Sequence, residues 1–471
     1  MPRPSPPTIK FYFDDKEVVA YKGDTIASAL LRAGIYTISR SLKFHRRRGV
    51  RCFRGYCRSC LVEVNGVPNV PACLTLVEDN MVVKSQNAYP NASYDVLSIL
   101  DKLPHLTSYN TIYEGAFKNP LLWSLASKVI EKITGLGRFP QTNVKYEYSS
   151  EGVIETDVAI IGGGLSGLAA ANMISQYNVK TVIVESLELL GGRARLDPIE
   201  DANLKRLNVE SPKQLAEKLI ESISKNEHIV VINNSDAYGL YPEERKLGVY
   251  IRRSYNKGSH VLIRAKVYIV ASGAYEIPGN FRNNDVPGII YDYGFRRLIL
   301  DYNVKPKGKV LIVGNGGYGE RLKRLLESLN VSFEGPVLDT DTNIKPRLVE
   351  VRYKEKIRCA LLEFENGIRK VDAEYVVISK GYTPALEIAG HAGVPIVYDE
   401  KLGQYVPSHN MYMETPIDNV LVTGDTAGCE GYYKAYVKGE IAGLTALVKI
   451  LGERKDVLSL REEKVKSLGG G

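Results

Sequence analysis

Residues 157–174 read DVAIIGGGLSGLAAANMI: an apolar run, a glycine turn and a small-residue helical pattern. Few stretches narrow the choice of fold as much as this one. Gly162, Gly164 and Gly167 carry the G-x-G-x-x-G spacing between a strand and a helix, the context a dinucleotide's pyrophosphate requires. Gly162 permits the tight turn, Gly164 lets the pyrophosphate reach the helix N-terminus, and Gly167 allows close helix–strand contact. Leu165 and Ser166 open the helix, whose first N–H groups and macrodipole favour an anion. A second apolar run, KTVIVES, ends at Glu185, roughly 20 residues on, placed to accept hydrogen bonds from ribose hydroxyls.

The same strand–turn–helix pattern returns in KVLIVGNGGYGERLKRLLESL, where Gly314, Gly316 and Gly319 keep the spacing. Asn315 and Tyr318 depart from it, and the following run, SFEGPVL, carries Glu334 without a clean ribose-binding context. The residues leave two options open for this segment: a nicotinamide-nucleotide site, or an emptied fold kept for architecture. Other strand ends have glycine marks as well. GGRA contains Gly192 and Arg193, VASGAYEIPG contains Gly273, and VTGDTAG contains Gly424 and Asp425. The last two resemble strand ends beside the flavin in two-dinucleotide flavoproteins, where Asp425 would bond a ribityl or ribose hydroxyl.

Ahead of these lies CFRGYCRSC, with three of the six cysteines in nine residues, and a fourth follows at Cys73. The spacing Cys52-x4-Cys57-x2-Cys60, with the last ligand further on, is that of plant-type [2Fe–2S] proteins. Gly55 and Ser59 let the backbone approach the sulfides. N–H groups, with Arg51, Arg54 and Arg58, offset the anionic thiolates. Zinc favours paired C-x2–4-C units, and only Cys57 and Cys60 form one. Cys359 and Cys429 stand apart and read as small buried hydrophobes. No C-x-x-C pair follows residue 73, so a dithiol relay is not expected. The neighbouring basic run, FHRRRGVR, reads as a solvated face, with docking of an acidic partner or a flavin phosphate as the alternative.

These signals divide the chain. A small β-grasp, ferredoxin-like [2Fe–2S] domain is expected over 8–90, with a hairpin at Asp14-Asp15, a helix capped by Asp24 and stopped by Gly34, and a turn at Asn65-Gly66. A helical connector and polar linker follows over 91–154. Residues 155–280 and 385–452 form the first, FAD-type dinucleotide domain, and 281–384 the second, NAD-type Rossmann domain. Ser211-Pro212-x-Gln214 opens a helix with a capping box. The tail REEKVKSLGGG reads as loose and solvated. The fold class is α/β: a two-dinucleotide-domain flavoprotein of the glutathione or thioredoxin reductase type behind a ferredoxin-like module.

At 471 residues, with 44% apolar and 25% charged side chains, the chain suits such multidomain burial. A net charge of +8 concentrated beside the cysteines is too local for a nucleic-acid face. No apolar run is long enough to span a membrane, and MPRPSPPTIK lacks an apolar h-region, so the expected compartment is cytoplasmic, with peripheral membrane association left open.

Beyond generic Rossmann features, SLKFHRRRGV, GVPNVPACLT, SQNAYPNASYDV, YEGAFKNPLLW, GLGRFP and NDVPGII make the chain resemble a known family over nearly its whole length. It is similar to α subunits of heteromeric amine and amino-acid dehydrogenases: sarcosine oxidase, archaeal dye-linked L-proline dehydrogenase, hydrogen cyanide synthase and opine oxidase. The resemblance implies a catalytic β-type flavoprotein partner that takes electrons from a small-molecule donor. It also implies FMN at the subunit interface of many such complexes, and a bound dinucleotide that differs among relatives (FAD, NAD or ATP). The [2Fe–2S] ligands would be Cys52, Cys57, Cys60 and Cys73. A C-terminal folate region and a second cysteine motif are missing, which argues against tetrahydrofolate coupling and a second cluster. The residues themselves keep two rivals in view: a self-contained NAD(P)H dehydrogenase, and a non-catalytic nucleotide-binding scaffold.

Overall fold

The computed structural model describes residues 7–102 except 43, then 120, 121, 123, 124 and 127, then 145–469 except 315. Two compact units emerge. One combines residues up to 145 with 278–380; the other combines 146–277 with the chain from 381 onward.

In the first unit the N-terminal module is a mixed five-stranded sheet. Its order is Lys16–Tyr21, Thr8–Phe13, Val82–Ser85, Leu61–Val64, Val67–Pro71. Asp14 and Asp15 both take positive φ, as do Asn65 and Gly66, so each two-residue turn matches the twist of its hairpin. Helix Ile26–Arg32 lies against this sheet with nearly every side chain buried. Its N-cap is Thr25, not Asp24. Thr25 and Ser28 close a reciprocal capping box, and Asp24 instead takes the Ser28 hydroxyl and the Arg32 guanidinium. Both residues are good caps by type, and only the backbone direction decides between them.

The same unit contains a parallel sheet in the order Ile289–Tyr291, Tyr375–Ile378, Val310–Val313, Phe333–Val337. Strands of four buried residues such as Val310–Val313 read as continuous apolar runs because both faces are covered, one of them by the antiparallel strands Arg347–Tyr353 and Ile357–Phe364. Helices Asp292–Leu300 and Gly316–Ser328 follow the first and third of these strands, and an antiparallel sheet of Arg347–Tyr353, Ile357–Phe364 and Gly367–Val371 follows. Of the connector, Val96–Lys102 is a 3-10 helix. Gly135, Gly137 and most of the expected second connector helix lie outside the described residues.

The second unit is built on a parallel sheet ordered Ile229–Ile232, Thr181–Val184, Val158–Ile161, Val267–Val270, Val420–Val422. Helices Leu165–Ile174, Pro212–Ser224 and Tyr432–Leu451 pack against it. Ser211 accepts the Gln214 N–H as expected, but the Gln214 side chain reaches the N–H of Glu210 rather than that of Ser211.

Two expectations fail here. Glu147–Glu155 is not linker but a nine-residue strand, paired in parallel with Lys257–Arg264 at the edge of a four-stranded sheet. Its side chains are nearly all exposed, so it carries no apolar alternation to read. The tail is not loose either, since Lys455–Gly469 is a helix. Val457 is fully buried, and Lys464 pairs with buried Glu440 at 2.8 Å.

Candidate functional site

The cysteine loop runs from the sheet of the N-terminal module onto the parallel-sheet module of the same unit. Cys52, Cys60 and Cys73 are buried and Cys57 is partly so. All four thiols turn toward one another. Cys52 is within hydrogen-bonding reach of Cys57 and Cys73, and Cys73 also reaches Cys60. The Arg54 N–H lies 3.4 Å from Cys52 Sγ, and the N–H groups of Cys57 and Ser59 turn to the sulfurs of Cys52 and Cys57. Burial works against ionising Cys52, but the two neighbouring thiols and the two N–H groups hold its pKa well below the ordinary thiol range. The Cys57 thiol is pushed far up, first by its bond to Cys52 and then by burial. Cys73 is driven up by Cys52, Cys60 and burial together.

The arrangement favours the Cys52 thiolate and holds Cys57 and Cys73 neutral; ionising those two needs positive charge among them, which bound iron supplies. Among the described residues, no three His, Cys, Asp or Glu side chains are arranged as a single-ion site. The loop backbone is shaped for its work: Gly55 and Arg58 take positive φ, and so does the fully buried Phe53.

The basic run is not a solvated face. Arg46 and Arg48 pair with Asp285, and Arg46 Nη2 also donates to Asn283 Oδ1 at 2.9 Å. Arg51 donates to the Asn284 carbonyl and stacks over Tyr291. Arg47 reaches the Ser93 carbonyl, and Arg40 lies buried beside Asp95, which holds His45 Nδ1 at 2.8 Å. These cations are used up inside the unit, on partners far away in sequence. His45, His391 and His409 are structural, each bonded to a carboxylate or a backbone carbonyl.

In the second unit, Val158–Ile161, Val267–Val270 and Val420–Val422 are adjacent and parallel, so their carboxyl ends bring three glycine motifs side by side. A Cβ at Gly162 would overlap the Ala271 carbonyl, and one at Gly167 the Gly162 carbonyl, whereas one at Gly164 would meet nothing within 4 Å. The open space is therefore on the outer side of the turn, in front of a helix whose N-cap, Gly164, supplies no side-chain cap. A Cβ at Gly424 would overlap the Ser166 hydroxyl, and Thr426 accepts the Gly273 N–H at 2.8 Å. Glu185 Oε2 accepts the Gly163 N–H at 2.8 Å and Oε1 the Leu187 N–H at 2.9 Å, which fixes the carboxylate at the edge of the turn. Gly192, at positive φ, approaches Gly164.

Arg193 pairs with Asp425 Oδ2 at 2.5 Å and lies 3.7 Å over the Tyr382 ring. Asp425 Oδ1 is buried without a partner, an acceptor left for a ligand hydroxyl. Cys429, just beyond, is held neutral: burial, then the Asp425 charge, pushes its thiol up to about 12.

The other glycine loop repeats this geometry, and a Cβ at Gly316 would meet nothing within 4 Å. A Cβ at Gly314 would overlap the Ser379 carbonyl, Gly319 packs on Pro336, and Gly316 takes positive φ at the start of its helix. Asn315 lies outside the described residues. Glu334 is not at the end of its strand and pairs with Lys309. The carboxylate just past that strand end is the buried Asp339, which accepts the Asn280 N–H and binds Lys380 at 2.8 Å. Nothing in the sequence marks Asp339, Tyr382 beneath Arg193, or Arg297, whose Nη1 donates to the Phe53 carbonyl inside the cysteine loop at 2.8 Å. Each acts across a long sequence separation with no motif of its own.

Two family models match parts of the chain. Residues 7–88 match the family described as 2Fe-2S iron-sulfur cluster binding domain, and residues 156–332 match pyridine nucleotide-disulphide oxidoreductase. The sarcosine oxidase subunit alpha of Rhizobium meliloti is 24% identical over 90% of this chain and 45% of its own length. That of Corynebacterium sp. strain U-96 is 23% identical over 64% of this chain and 27% of its own. The chain thus spans less than half the length of these relatives. An L-proline dehydrogenase structure from P. horikoshii superposes with a TM-score of 0.71 at 22% identity, covering 99% of this chain and 79% of that one.

Proposed function

We propose, for a chain that belongs to the sarcosine oxidase α-subunit family and carries an N-terminal 2Fe–2S domain, that it is the electron-transfer subunit of a flavin-dependent dehydrogenase. The chain is an oxidoreductase. In this reading a β-type flavoprotein partner oxidises a small amine, imino acid or related donor. When bound, a flavin and an iron–sulfur cluster supply the conversion of a two-electron donor into one-electron steps. Cys52, Cys57, Cys60 and Cys73 hold the irons. The N–H groups of Arg54, Cys57 and Ser59 steady the sulfur charge. Gly162–Gly167 and the N-terminus of helix Leu165–Ile174 bind the pyrophosphate of FAD, Glu185 faces its adenosine ribose, and Asp425 Oδ1 takes a ribityl or ribose hydroxyl.

The observation that carries the reading is the convergence of four cysteine side chains, three of them buried, with backbone N–H groups directed at their sulfurs. No helix among the described residues is long and apolar enough to cross a membrane. Anaerobic purification with native partners, followed by visible and EPR spectroscopy of the dithionite-reduced protein, tests it. Cys57→Ser should abolish the [2Fe–2S] signature and leave bound nucleotide unchanged. Purification without any iron–sulfur signature overturns the cluster assignment. If the chain alone bleaches flavin on addition of NADH, the self-contained NAD(P)H dehydrogenase replaces this reading.

A further inference from the structure

Helix Asp292–Leu300 meets the cysteine loop end-on. Its N-cap residue, Tyr291, donates its N–H to the Arg51 carbonyl at 3.0 Å. A Cβ at Gly294 would overlap that same carbonyl and come within 3.1 Å of the Cys52 carbonyl carbon, so loop and helix are in direct backbone contact. One turn further along is Arg297, among the largest fully buried side chains of the protein. Its Nε binds Asp301 at 3.1 Å, Nη2 bonds the Tyr302 hydroxyl at 3.0 Å, and Nη1 donates to the Phe53 carbonyl at 2.8 Å.

The Phe53 carbonyl and the Arg54 N–H belong to one peptide group. In a trans peptide the two point in opposite directions. A guanidinium that fixes the carbonyl therefore aims the N–H the other way, and there it lies 3.4 Å from Cys52 Sγ. The backbone does not favour this arrangement unaided: Phe53 sits at φ +51, costly for a bulky residue unless its surroundings enforce it.

We propose that Arg297 is a positioning residue for the iron–sulfur cluster, holding the Phe53–Arg54 peptide so that its N–H bonds the Cys52 sulfur and raises the cluster's reduction potential. Hydrogen bonds to ligand sulfurs stabilise the more negative, reduced cluster. The parallel-sheet module beside the cluster is on this account part of the redox centre. The inference rests on Cys52 being a cluster ligand, as proposed above.

Full-length Arg297→Met and Arg297→Lys variants are compared with wild type by EPR-monitored redox titration. The expected result is a cluster that still assembles but is harder to reduce. In Arg297→Met the reduction equilibrium falls about tenfold, about 59 mV for one electron. Arg297→Lys, which keeps one donor, recovers part of the loss, and the g-values shift in step. Wild-type potential and g-values in both loaded variants overturn the inference and leave the cluster assignment standing. Failure of both variants to assemble a cluster confines Arg297 to assembly and also overturns it. Absence of a cluster from wild type overturns the functional reading itself.

Discussion

Two cysteine environments show how little residue type says about reactivity. Cys52 is buried, yet N–H groups and neighbouring thiols hold its pKa low; Cys429 is partly buried, and burial with the nearby Asp425 charge pushes its thiol up to about 12. Only the thiolate attacks an electrophile. Against an ordinary thiol near 8.5, Cys429 should therefore be alkylated by iodoacetamide at pH 8 about three orders of magnitude more slowly. Its rate should keep rising with pH toward 12, because a raised pKa keeps the thiol neutral until then. Peptide mass spectrometry of time-quenched samples checks this, and a rate that levels off near pH 8 contradicts it. Gly162 and Gly167 were legible one by one, since a close approach demands them, and Gly164 has open space in front of a helix N-terminus. Phe53 at positive φ was not, since nothing in its type predicts that backbone.

Helices Leu165–Ile174 and Tyr432–Leu451 cross with their backbones almost touching. A Cβ at Gly439 would overlap the Ser166 carbonyl and lie 2.8 Å from Ala169 Cβ, and one at Gly443 would lie 2.6 Å from the Ala170 carbonyl. Gly439→Ala should destabilise the protein by about 1–3 kcal/mol through overpacking, although Ala is the better helix former by about 1 kcal/mol. The displaced helix would also disturb the Gly162–Gly167 turn, so bound nucleotide per chain should fall together with Tm. Scanning calorimetry and nucleotide release on denaturation measure both. At this scale the apolar strands were legible in the sequence, and the elements defined by their neighbours were not. Glu147–Glu155 pairs along an edge with its side chains in water, and Lys455–Gly469 is held by Val457 and by the Lys464–Glu440 pair.

Across the first unit, Asp285 gathers Arg46 and Arg48, the nearer of them 237 residues away in sequence. All three side chains are about three-quarters buried, so the pairs exceed ordinary surface salt bridges. Asp285→Ala takes the carboxylate from Arg48 and leaves Arg46 only the more distant Asp101, at 3.7 Å, and should cost about 1–3 kcal/mol. Urea unfolding followed by visible circular dichroism of the cluster should then show its signal lost at lower denaturant than in wild type. Coincident transitions for the two proteins would remove Asp285 from this role.

What the sequence determined by itself is whatever depends on local spacing: the four cysteines, the strand–glycine–helix turns, and the buried parallel strands. Those follow from backbone conformations and ligand reach within a few residues. Tertiary structure alone decided where the charges went. The arginines beside the cysteines read as surface until Asp285, the Asn283 side chain and the Asn284 carbonyl appeared opposite them. Arg297 was one more helical arginine until it met the Phe53 carbonyl, 244 residues away in sequence. A long, flexible cation takes its role from the partner that folding brings to it, and no pattern in its own neighbourhood names that partner.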